Sequence, residues 1–202
     1  KLYFMSHIKA LNNYLMNVSY GKLWIDISAS SVFPNENNNS YQLVHEMKYY
    51  NPYDQNEIQE LRITELFKDA LNVGYDTDQI NYSDYDVIVV FHAGIGQDFS
   101  LPFLDPTPED IPSTYVDQKM IQDNLNQSEI IINGMSIKEG IVLPESQNHL
   151  LFDISTSMFS DATDPCEYQY GLTGTFALLF GFAIGLPPMW DIETGESRVG
   201  VF

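Results

Sequence analysis

The stretch Thr175-Phe-Ala-Leu-Leu-Phe-Gly-Phe-Ala-Ile-Gly-Leu-Pro-Pro188 decides the fold. It carries no charge and is apolar on every side of a helical wheel, the signature of a helix buried in a core. Gly185 and the pair Pro187-Pro188 mark where such a helix must stop. The spacing predicts a helix over 172–184. The uncharged run extends from Tyr168 to Trp190, close to the length needed to cross a bilayer. Gly171, Gly174, Gly181 and Gly185 interrupt it, the prolines end it early, and acidic rather than basic residues flank it. A core helix is expected, and no membrane span.

Outward from this helix, the chain alternates helical and strand-like segments. Ile8, Leu11, Leu15 and Val18 recur at helical spacing over 1–18. After Gly21, Leu23, Ile25 and Ile27 alternate with Lys22, Trp24 and Asp26, which is strand spacing. Residues 29–57 are rich in Asn, Ser and Tyr and read as a long loop, with a short strand near Tyr41–Val44. A second helix is expected over 57–73, stopped by Gly74. Tyr85–His92 reads as a strand buried on both faces. Residues 93–117 read as a proline-rich loop. Glu129–Ile132 and Gly140–Leu143 read as strands joined by a turn at Asn133-Gly134. Residues 144–171 and the tail 191–202 read as irregular. A helix followed by a buried strand implies layered α/β (α+β) architecture, and the whole of 1–202 reads as one domain.

The charge balance narrows the partners. With 28 acidic residues against 9 basic ones, the formal net charge is −19. Such a chain repels nucleic acid and anionic membrane surfaces. Asp98, Asp105, Asp110 and Asp191 are candidate calcium ligands, although the EF-hand spacing is absent and a solvated acidic loop is the better account of the first three. Cys166 is the only cysteine, so no intrachain disulfide forms. His7, His45, His92 and His149 match no metal-binding spacing, and a replacement metal site at His45 or His92 is not expected. His92-Ala-Gly-Ile-Gly-Gln-Asp98 lacks the lysine and third glycine of a phosphate loop. Gly-x-Ser-x-Gly is absent.

The frame of 175–188 resembles A-H-E-F-G-H-A-L-G-L-P-D, an extended form of the zincin motif H-E-x-x-H. In that motif two histidines one helical turn apart hold zinc, and the glutamate is the general base. Here Leu178 and Phe182 stand at the histidine positions, Leu179 at the glutamate position and Pro188 at that of a third ligand. Ala177, Phe180, Gly181, Ala183, Gly185, Leu186 and Pro187 keep the rest of the frame. Two further segments extend the likeness: Val18-Ser-Tyr-Gly-Lys-Leu-Trp24, and Phe91–Phe99 continued by Asp105–Ser113. With Gly171–Pro187, Trp190-Asp191 and Gly195–Phe202, the set is similar in order to the immune-inhibitor-A-like (M6) family of secreted bacterial metallopeptidases.

The resemblance implies a zincin-like metalloprotease fold, a twisted mixed sheet packed on helices with a buried former active-site helix. It also implies a secreted or cell-surface location. The departures imply a degenerate member, a pseudopeptidase with no catalytic residue and no zinc, because catalytic zinc needs about three protein ligands and an open position. Leu178, Leu179 and Phe182 are then expected to be buried where metal and water would sit. A protein or peptide partner is the expected ligand. The alternatives are a hydrolase or metalloprotease with a non-standard site, or a structural domain of a larger surface protein. The start at Lys1 and the end at Phe202, inside the family pattern, suggest a fragment of a longer protein.

Overall fold

The computed structural model describes residues 1–36, 39–52, 55–98, 109–147 and 172–188. Within them the chain is a mixed α+β structure. Helix α1 (Leu2–Val18) is followed by a one-turn helix α2 (Met47–Tyr50) and the long α3 (Gln59–Asp78). Strands β1 (Val89–Gly96) and β2 (Thr114–Val116) precede α4 (Gln118–Leu125). Then come β3 (Ile130–Ile132), β4 (Met135–Ile137), β5 (Gly140–Gln147) and α5 (Leu172–Ala183).

Strand β5 is the centre of a three-stranded sheet in the order β1-β5-β2. β1 runs parallel to it, with Val89 opposite Ile141 and Val90 opposite Val142. β2 runs antiparallel on its other side, with Thr114 opposite Val142 and Val116 opposite Gly140. Successive side chains of a strand point to opposite faces, so a strand buried on both sides needs apolar residues throughout. Ile141 and Leu143 enter a core built with α1 and α5, together with Leu11, Leu15, Leu172, Phe176 and Leu179. Val142 enters the core on the opposite face, with Ile63, Leu66, Phe67 and Leu71 of α3 and Ile121 of α4. The sheet therefore lies between two helical layers. Fully burying a Leu, Ile or Phe side chain contributes about 1.5–3 kcal/mol, and both layers hold several.

Helices α1 and α5 fall where their spacing predicts. Other elements differ. Residues 22–27 form no strand, yet they keep the alternation of burial: Leu23 and Ile25 pack on the α1/α5 core while Lys22, Trp24 and Asp26 are exposed. Tyr41–Val44 is not a strand either, and the nearest regular structure is the turn α2. Helix α3 runs through Gly74 to Asp78, with Gln79 taking the left-handed cap at φ 52°. Gly74 is buried because a Cβ there would meet the Tyr82 hydroxyl at 2.6 Å and Ile80 Cδ1 at 3.1 Å. It serves helix-to-loop packing rather than termination.

Strand β1 begins at Val89, four residues later than expected, and its far end is exposed at Ala93, Gly94 and Ile95. Its register with β5 shifts between His92 and Ile95, a bulge on an edge strand. The Asn133-Gly134 turn does make a two-residue hairpin, with positive φ at both residues as a type I′ turn requires. It joins β3 to β4, with Ile130 opposite Ile137. Gly140–Leu143 is not the return strand, because three more residues of pairing are available immediately after the turn. β2 lies inside the stretch read as loop. Of the segment expected to be irregular over 144–171, residues 144–147 instead continue strand β5; the rest of it and the tail 191–202 lie outside the described residues. Among those described, no helix is long and apolar enough to cross a membrane.

Candidate functional site

The four positions in and just beyond α5 that align with the zincin frame, Leu178, Leu179, Phe182 and Pro188, do not share one environment. Leu179 is 6% exposed and packs in the core against the sheet. Phe182 is half-buried, its ring centroid 6.0 Å from that of Tyr115 on β2. Leu178 is 40% exposed, contrary to the expectation that it fills a buried former site. The cause is helical geometry: residues adjacent in sequence are about 100° apart around the axis. Leu179 faces the sheet, so Leu178 is turned off it. Pro188 is exposed beyond the helix end.

The helix ends in a Schellman cap. Leu186 N–H donates to Gly181 C=O at 2.8 Å and Gly185 N–H donates to Phe182 C=O at 2.9 Å. Gly185 takes φ 86°, which any residue with a Cβ adopts at a cost. At Gly181 a Cβ would meet the Leu186 Cδ1 at 3.5 Å, an ordinary contact, so its part in the cap is its backbone carbonyl. Gly185 and the Gly181 carbonyl thus close the helix. Leu178, Leu179, Phe182 and Pro188 offer no donor atom and no titratable proton. Near them, Tyr115 donates its hydroxyl proton to Glu139 Oε2 at 2.5 Å. Burial and the Glu139 carboxylate push this phenol well above its usual pKa, so it keeps its proton at neutral pH.

A second concentration of polar groups lies on the other face of the sheet, where β1 ends. Phe91 points to the α5 side, its ring against that of Phe176. His92, the next residue, points the opposite way and is 9% exposed. Its Nδ1 lies 2.9 Å from Ala93 O and its Nε2 lies 3.1 Å from Ile111 O. Burial holds the ring below the usual histidine pKa range, opposed by the two carbonyls and by Asp110 and Asp98. Both ring nitrogens face carbonyl oxygens, and the neutral ring, with a single N–H, donates to only one of them; the sheet separates the ring from α5.

Around this ring the chain is pinned on both sides of residues 99–108. Gln97 N–H donates to Ile111 O at 3.3 Å. Asp98 accepts from Ser113 N–H at 2.7 Å and from Ser113 Oγ at 2.5 Å. Buried Asn51 donates to Asp110 O at 2.7 Å and accepts from Gln59 at 2.7 Å. Asp98 and Asp110 thus come to one end of β1, with the Asp98 carboxylate serving Ser113. Asp105 and Asp191, the other candidate calcium ligands, lie outside the described residues. So do His149 and Cys166. Among the described residues, no three His, Cys, Asp or Glu side chains group as a metal site.

The two remaining histidines stand apart. His45 is exposed and stacks on Tyr49 at 3.9 Å, while the Arg62 guanidinium lies 4.0 Å from the same ring. His7 on α1 packs against Tyr3, and its buried Nε2 has no hydrogen-bond partner. Asn51 and Ser113 carry no sequence signal for the polar cluster, because nothing local marks a polar residue as buried. The chain matches no protein-family model, no curated protein and no solved structure.

Proposed function

We propose that this chain is a degenerate metallopeptidase-like domain of the immune-inhibitor-A-like kind, secreted or surface-exposed, that binds a protein or peptide partner and performs no hydrolysis. One observation carries the reading: the positions that would hold zinc and its base are Leu178, Leu179, Phe182 and Pro188, and Leu179 is built into the core. Support also comes from the mixed sheet with α5 packed on it, and from a capped glycine turn at the end of α5 where the family frame has one. An extended peptide would add to the free edge of β2, beside Tyr115 and Phe182, through main-chain hydrogen bonds. The bulge at Gly94 disfavours the same mode along β1.

Elemental analysis of the purified protein and a casein-cleavage assay with and without chelator test the inactive half of this reading. The expected result is no stoichiometric zinc and no cleavage. One tightly bound zinc per chain with chelator-sensitive cleavage overturns it. A peptide-array screen tests the binding half. Tyr115→Ala and Phe182→Ala are expected to reduce peptide capture, and capture indifferent to both places the partner elsewhere.

A further inference from the structure

Residues 23–26, between the bend at Lys22 and the turn that begins at Ile27, alternate in burial, have one face in the core and, among the described residues, have no strand beside them. Leu23 and Ile25 pack inward, while Trp24 is 63% exposed between exposed Lys22 and Asp26. One edge of the segment is closed by side chains from α1 and its end. Ser19 Oγ accepts from Leu23 N–H at 2.9 Å, and Asn12 Oδ1 accepts from Ile25 N–H at 2.7 Å. With this alternation, successive residues present their backbone groups to opposite edges, so those of Trp24 point away from Ser19 and Asn12. There, among the described residues, neither the N–H nor the C=O of Trp24 has a hydrogen-bond partner. An unpaired strand edge is a template for another strand.

The side chains on this edge are self-complementary. Reversing the segment about Trp24 exchanges Lys22 with Asp26. We propose that this edge pairs with the same edge of a second copy of this chain, antiparallel and centred on Trp24. In that register the two Trp24 residues exchange both N–H···O bonds, as a hydrogen-bonded antiparallel pair does. Lys22 of each copy faces Asp26 of the other, and the indoles lie side by side on the same face. Each contact occurs twice through the two-fold axis, the usual form of a homodimer interface. Asp26 is held in position by Ser28, whose N–H and hydroxyl donate to Oδ1 at 2.9 and 2.6 Å. The net charge of −19 opposes association of two copies, so a contact that sets Lys22, one of only nine basic residues, against an acid is favoured over other surfaces.

Sedimentation analysis over a concentration series tests the proposal. A monomer–dimer equilibrium is expected. K22D and D26K each turn two attractions into two repulsions and should raise the dissociation constant by roughly tenfold or more. Mixing the K22D and D26K chains should restore association, because both cross-strand contacts in the mixed pair are again opposite in charge. D26K also removes the Ser28 contact, so W24P provides a separate arm. It deletes the N–H that the pairing uses and the indole, and should abolish the dimer with an unchanged thermal midpoint. A protein that stays monomeric at every concentration overturns the proposal. So does a dimer indifferent to K22D and W24P, or a mixture that associates no better than either variant alone.

Discussion

The Phe67 ring lies directly over the Cα of Gly140. A Cβ on that glycine would meet Phe67 Cε2 at 2.5 Å and Ile88 O at 3.1 Å. Helix α3 therefore approaches the sheet as closely as a bare backbone allows at the first residue of β5. G140A is expected to lower stability by about 1–3 kcal/mol through overpacking. Trimming the ring with F67L should recover part of that loss, so the double variant will be less than additive in urea denaturation. An unchanged G140A midpoint would mean that the ring yields freely.

The split of the α5 frame between core and surface predicts unequal truncations. Leu179→Ala should cost about 2–5 kcal/mol, as buried leucines do. Leu178→Ala should stay within roughly 0.5 kcal/mol, since its side chain gives up little burial. Phe182→Ala should fall between them. Chemical denaturation orders the three, and equal costs at 178 and 179 would contradict the helix orientation.

On the proposed reading, placing zincin motif residues in α5 is not expected to create a metallopeptidase. In L178H/L179E/F182H the glutamate replaces a leucine packed between helix and sheet. An unpaired polar group there costs about 1–3 kcal/mol, and more if ionised. Only two histidines would reach a metal, without partners to orient them, and such partners are worth roughly 10–100-fold in affinity. The variant should be less stable and bind no zinc by calorimetry. Chelator-sensitive casein cleavage by it would show that the loss is superficial.

His92 gives a pH dependence with a definite sign. Burial depresses its folded pKa below the unfolded value of about 6.5. The neutral ring is the one the fold accepts, so its contribution is fully present above about pH 6.5. It is lost as pH falls from there through the lowered folded value. His7 is depressed by burial as well and acts in the same direction. NMR titration should find the His92 ring still neutral at pH 6.5, and H92Q should flatten the decline of thermal stability on the acid side. A His92 signal titrating above 6.5 would reverse the sign.

The parts of the fold that were legible in the sequence are those with long, one-sided periodicity. Leu11 and Leu15 mark α1, and the uninterrupted apolar run from Leu172 marks α5. Shorter elements were lost to competing signals. Asp117 caps α4 by accepting from Met120 N–H at 2.7 Å, and Lys119 pairs with Asp123 one turn on, but eight residues carry little periodicity. The alternation of Leu23, Ile25 and Ile27 was real as burial but not as pairing, since alternation reports a half-buried extended chain and says nothing of its neighbour. Gly74 read as a stop because a sequence cannot show that Tyr82 returns to fill the space a side chain would take. At the α5 frame the missing donor atoms were plain from residue identity. Which of those positions face the core depended on where the sheet lies.

Parallel pairing also fixes an order of events during folding. Val89 sits opposite Ile141, and everything between them must be looped out before that contact exists. Helix α3, the capped α4 and the Asn133-Gly134 hairpin close over short separations and form on their own timescales. Closing the long crossover delays β1 and β5, and non-local pairings of this kind slow folding. Until they meet, Ile141-Val142-Leu143 is an apolar strand with the edge that β1 covers left bare. Recovery of native protein on refolding should therefore fall steeply as concentration rises, with self-association of this strand competing against the slow step.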